Sequence, residues 1–145
     1  MRDKVTKPVP GEADFVKGTI NGVQYRIVRH PTMGHLCGYV KVPRNHPWYA
    51  RLMKKRVRRA WSRKYSFGAT GHDALHNVNV HGGVTWSGHL PTCRQDRGYW
   101  VGFDCAHYDD FVPSMGFEGT YRDIEYVLAE LRGLVSQMLP CSTAA

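Results

Sequence analysis

Residues 15–30 read FVKGTINGVQYRIVRH. Asn21-Gly22 stands between two runs rich in Val, Ile and Tyr. Both turn residues tolerate positive φ, so the dipeptide is a strong signal for an antiparallel hairpin. Val23, Tyr25 and Ile27 alternate with polar neighbours and are expected to face the core.

Upstream, residues 1–14 carry Pro8 and Pro10 among charged and polar side chains and are expected to form a flexible arm. Downstream, residues 35–42 (HLCGYVKV) read as a third strand, and Pro43 and Pro47 break the chain. Residues 49–64 follow as a helix, with Met53, Val57 and Trp61 at four-residue spacing beside Leu52 and Ala60. Residues 66–76, 88–98 and 107–119 read as loops. Strands are expected at 78–87, with Gly82-Gly83 inside, and at 99–106, the most apolar run. Thr120 and Asp123 resemble a capping box. Beyond them Ile124, Val127, Leu128, Leu131, Leu134, Val135, Met138 and Leu139 share one helical face, and Pro140 is expected to end it. This order predicts an α+β domain over residues 15–140 and a short tail at 141–145. An antiparallel sheet carries a long C-terminal helix on one face, and a basic helix is inserted after the third strand.

A chain of 145 residues is one ordinary domain. At this size roughly two thirds of the unfolded surface can be buried, so folding needs no metal or disulfide. No apolar run approaches the roughly 20 residues that span a bilayer. The first residues show no apolar stretch of signal-peptide type, so a cytoplasmic location is expected. Cys37, Cys93, Cys105 and Cys141 form no CxxC pair and are expected as free thiols.

The formal charge of +8 is concentrated in one place. Arg51, Lys54, Lys55, Arg56, Arg58, Arg59, Arg63 and Lys64 are eight basic residues with no acidic one among them. Taking these from the twenty leaves twelve, which balance the twelve acidic residues. Any argument from basicity therefore concerns this helix alone. Arg51, Lys54, Lys55, Arg58, Arg59 and Arg63 could meet phosphates of nucleic acid, although no recognised nucleic-acid motif surrounds them. The competing reading is a solvated helix face.

The strand expected at 78–87 carries the first chemical signal. Val78, Val80, Val84 and Trp86 share one parity and read as core. Asn79, His81, Gly83, Thr85 and Ser87 share the other, a polar face without Lys or Glu. Gly82 and Gly83 either leave room for a close approach to the backbone or form a bulge that re-aims His81. In the strand at 99–106, Asp104 stands between Phe103 and Cys105, where a carboxylate needs a partner. If the two strands are neighbours, Asp104 could orient His81 or hold a ligand hydroxyl. Ordinary structural roles compete: Thr and Ser pair across strands, and a buried Asp often caps a loop. A zinc alternative also exists. His35-x-Cys37 and Cys105-x-His107 each place a thiol and an imidazole on one strand face, although the spacing matches no common zinc module.

Four stretches together resemble a family of small proteins encoded by bacteriophages and prophages. They are LCGYVKVPRNHPWY at 36–49, VHGGVTWSG at 80–88, YWVGFDCAH at 99–107 and TYRDIEYVLAEL at 120–131. The resemblance puts His81, Gly82, Gly83, Thr85, Gly102, Phe103, Asp104, Cys105, His107, Tyr121 and Arg122 on motif positions. It implies a setting, that of a phage accessory protein, rather than an activity. The basic helix departs from the family pattern, which has a shorter acidic connection there, and this weakens the nucleic-acid reading.

The expectation is therefore a protein that binds a small polar ligand, a nucleotide or nucleotide-derived signal, to counter host signalling or defence. The expected binding residues are His81, Gly82, Gly83, Thr85, Ser87, Trp100, Asp104 and Arg122, with Trp48, Trp86 or Trp100 stacking on a base. Arg122 would meet a phosphate at the start of the last helix. The alternative is a hydrolase in which His81 or His107 is the acid or base and Asp104 orients it. A homo-oligomer is compatible with either reading.

Overall fold

The computed structural model describes residues 7–60, 72–90, 97–116 and 118–142. Strands β1 (Phe15–Ile20) and β2 (Val23–Arg29) form the hairpin expected around Asn21-Gly22, both residues having positive φ. Strand β3 (Leu36–Val42) pairs with β2, helix α1 spans Pro47–Ala60, and a short 3₁₀ turn spans His72–Leu75. Strands β4 (Trp86–Gly88) and β5 (Tyr99–Asp104) and helix α2 (Ile124–Ser142) complete the fold. The five strands run antiparallel in the order β1-β2-β3-β5-β4, so β5 joins the sheet between β3 and the short edge strand β4. No helix among the described residues is long and apolar enough to cross a membrane.

Register separates the two faces of the sheet. Ile27, Gly38 and Phe103 lie across from one another in one row, and Val40 and Val101 in the next. These residues face the helices. Val127, Leu131, Leu134, Val135 and Met138 of α2 pack on them, together with Trp48 and Leu52 of α1 and Leu75, Val78 and Val80. Gly38 is bare because Phe103 and Val127 occupy the place of its side chain. The far face carries Arg26, Tyr39, Trp100, Gly102 and Trp86. Here Gly102 lies under the Tyr39 ring, and Trp86 meets that ring edge-on.

Three sequence expectations need correction. The strand expected over 78–87 is reduced to Trp86–Gly88. Gly82 and Gly83 adopt φ of 68° and 80°, and Gly83 N donates to Val80 O, so the chain turns there instead of extending. The turn also breaks the expected parity. Ser87 lies in the core, and Trp86 lies half-buried on the far face. The strand expected to reach residue 106 ends at Asp104, whose Oδ1 accepts from Ala106 N and bends the chain.

The third correction concerns α2. Its cap is Asp123, whose Oδ1 accepts from Tyr126 N, while Thr120 forms an isolated bridge to Asp110. The helix also runs past Pro140 to Ser142. At the other end of the chain, Glu12, Ala13 and Asp14 are tied to the body by Arg29, although composition assigns them to the arm.

Candidate functional site

The site is gathered by a residue that strand parity does not reveal. Asp110 follows β5 by six residues, and its carboxylate is wholly buried. Oδ2 accepts from His81 Nε2 at 2.8 Å and from the main-chain N–H of His107 at 3.0 Å. Oδ1 accepts from Arg122 Nε at 2.9 Å. Burial raises the pKa of this carboxyl, but the bonds from His81, Arg122 and His107 outweigh it and hold the group below the ordinary carboxylate value. One buried anion thus joins the Gly82-Gly83 turn, the loop after β5 and the residues that lead into α2.

His81 is fixed from both sides. Its Nδ1 lies 2.7 Å from the hydroxyl of Tyr126, which also reaches Glu130 Oε1 at 3.1 Å. With Nε2 on Asp110, both ring nitrogens are engaged, and the side chain is 13% exposed. The Arg122 guanidinium lies 4.7 Å over the Tyr126 ring. That stacking and the Asp110 bond orient it. Its terminal N–H groups have no acceptor among the described residues.

His107 is held differently. Its ring packs on Gly82, in the space that any side chain there would need. Nε2 is buried and lies 3.2 Å from Asp104 Oδ1, yet the alignment makes no hydrogen bond, so this nitrogen is unpartnered and closed to solvent. One third of the His107 side chain is exposed, and Asp104 is similarly open. Thr85 Oγ1 donates to Asp104 Oδ2 at 3.0 Å. Asp104 therefore faces His107 and Thr85. The partner of His81 is Asp110, not Asp104 as parity suggests.

Several expected site residues lie elsewhere. Ser87 is buried in the core with its Oγ 3.3 Å from the Tyr99 hydroxyl. Trp100 is fully buried on the far face, under the Arg26 guanidinium at 5.0 Å, and Trp48 belongs to the core. The aromatic side chain most open near the site is Tyr108, which is wholly exposed. Sequence reasoning passes over Asp110 because it lies in a loop. Its three-residue offset from His107 is a local signal, since that spacing lets a carboxylate accept the main-chain N–H.

The zinc set does not assemble. Cys37 lies opposite Asp104 in the sheet register and Cys105 belongs to the helix-side core, so the two thiols take opposite faces. His35 stacks on His30 with ring centroids 5.0 Å apart. Among the described residues no three His, Cys, Asp or Glu side chains are arranged to hold a metal ion. Burial, with the Asp104 charge nearby, pushes the Cys37 thiol up to about 12, and burial lifts Cys105 further.

Of the basic helix, Arg51 is committed to the fold, donating to Ala74 O at 2.6 Å and Asn77 Oδ1 at 3.1 Å. Lys54 is exposed. The side chains of Lys55, Arg58 and Arg59, and all of Arg63, lie outside the described residues. Comparison of the chain with family models, with curated proteins and with solved structures gives no match.

Proposed function

We propose that this chain is a phage-type accessory protein that binds a small polar ligand, a nucleotide or nucleotide-derived signal, at the rim of the Asp110 cluster. Its purpose on this reading is to counter host signalling or defence. The observation that carries the proposal is the division of labour around Asp110. His81 and the Nε of Arg122 are consumed in holding the cluster together. The carboxylate of Asp104, the exposed part of the His107 ring and the terminal N–H groups of Arg122 remain at a partly exposed edge, while His107 Nε2 itself is buried against Gly82. These are acceptors and donors suited to ligand hydroxyls and oxyanions. Tyr108 takes the stacking role that the sequence assigns to Trp100. The phage setting rests on the sequence resemblance alone.

The test is titration of the purified chain with nucleoside mono-, di- and triphosphates and cyclic nucleotides, read by calorimetry, against His107→Ala. We expect saturable binding by one class that weakens at least about tenfold in the variant, since a charge-assisted hydrogen bond is worth about 1.5–3 kcal/mol. If no class binds the native chain, or if the variant binds it equally well, the reading fails.

A hydrolase is favoured by one observation, the 3.2 Å approach of His107 to Asp104. His107 would then be the acid or base and Asp104 its orienting partner. His81 is unsuited to that role because both of its nitrogens are engaged. Recovery of unchanged nucleotide after prolonged incubation with the protein excludes this second reading.

A further inference from the structure

The segment before β1 touches the far end of this cluster's scaffold. Arg29, at the end of β2, is buried and saturated with acceptors. Its Nε donates to Asp14 Oδ1 at 2.9 Å. Its terminal nitrogens donate to Gly34 O at 3.0 Å, Ala13 O at 3.1 Å, the Tyr121 hydroxyl at 2.7 Å and Glu12 Oε1 at 2.6 Å. The Glu12 side chain is only 5% exposed. Oε1 also accepts from the Tyr121 hydroxyl, and Oε2 accepts from Ile124 N at 3.2 Å.

Ile124 is the first residue of α2, and its N–H is one of four that a helix start leaves without an internal acceptor. Asp123 serves the N–H of Tyr126, so Glu12 and Asp123 divide the helix start between them. A carboxylate at this end is also favoured by the helix dipole. The residues between these two anchors matter most. Tyr121 is bonded to Glu12, Ile124 is bonded to Glu12, and Arg122 lies between them. Tyr126, which holds His81, sits one half-turn into the same helix.

We infer that Glu12 is a positioning residue for the Asp110 cluster, acting through Tyr121 and Ile124 to set Arg122 and Tyr126. The N-terminal segment is then part of the site's construction and not an appendage. The inference rests on reading the cluster as the working site, but its test needs no ligand. Glu12→Gln keeps the size of the side chain and removes the charge that gathers three donors. Tyr121→Phe removes only a hydroxyl and serves if the first variant folds poorly.

Two readouts distinguish positioning from bulk stability, with amide exchange and the ring ¹⁵N signals of His81 recorded well below the unfolding transition. In both variants the Ile124 amide should exchange at least about tenfold faster while amides of β3 and β5 keep their native rates. The ring ¹⁵N signals should move, because the Tyr126 and Asp110 contacts that set its tautomer shift with the helix start. Lys17→Ala, exposed on the neighbouring strand β1, should leave both unchanged. Unmoved His81 signals in both variants overturn the inference, as does faster exchange spread evenly over the chain. Failure of nucleotide binding in the native protein with the NMR result intact would overturn only the ligand reading.

Discussion

The turn that carries His81 depends on two adjacent glycines for different reasons. Both have φ in the left-handed region, where an L side chain costs about 1–2 kcal/mol. At Gly83 that is the whole penalty, since nothing lies within 4 Å of the place a methyl group would take. At Gly82 the His107 ring fills the same place. Gly83→Ala should therefore cost about 1–2 kcal/mol, and Gly82→Ala about 3 kcal/mol or more. Urea unfolding of the two variants measures the difference directly. Equal losses would mean that His107 does not rest on Gly82. A pair of glycines can be seen in the sequence, but which of them is crowded depends on a residue 25 positions away.

At the level of elements, α2 is held at its start by side chains and along its length by burial. Removing the Asp123 carboxylate leaves the Tyr126 N–H without its acceptor, so Asp123→Ala should destabilise by about 1 kcal/mol. Thr120→Ala should change little through capping, because Thr120 is bridged to Asp110 and does not cap the helix. Thermal unfolding of the pair tests which residue is the cap. The long apolar stripe of α2 and the Asn21-Gly22 hairpin were legible because each follows from a short-range rule. The strand around His81 was not, since alternation of Val78, Val80 and Val84 mimics a strand while the glycines turn the chain. The site was legible in part for the same reason. His81, Asp104, His107 and Arg122 do lie near one another, but pairing across strands pointed to Asp104 where a loop residue, Asp110, is the partner of His81. No periodicity reports on a contact between a turn, a loop and a helix start.

For the whole molecule, the buried ionisable groups set a pH range for stability. Asp110 has a folded pKa below its ordinary 3.8, so its contribution is present above that value and is lost as pH falls through the lower folded one. His35 acts at higher pH. Burial, with His30 stacked beside it, pulls its pKa below 6.5, and the folded ring stays neutral where the unfolded chain takes up a proton. Its contribution is complete above pH 6.5 and declines as pH falls below it. On the alkaline side burial lifts Tyr121 and Cys37 to about 12 from 10.0 and 9.0, so stability declines once the unfolded chain ionises above pH 9. Stability should therefore be greatest between about pH 7 and 9. The His35 Nδ1 is buried without a partner, so His35→Phe forfeits no hydrogen bond at that atom. Between about pH 7.5 and 5.5 the unfolding free energy of the native chain in urea should fall, by at most about 1.4 kcal/mol per pH unit for one group. It should stay level in His35→Phe. A fall of the same size in the variant would move the acid sensitivity from His35 to another group.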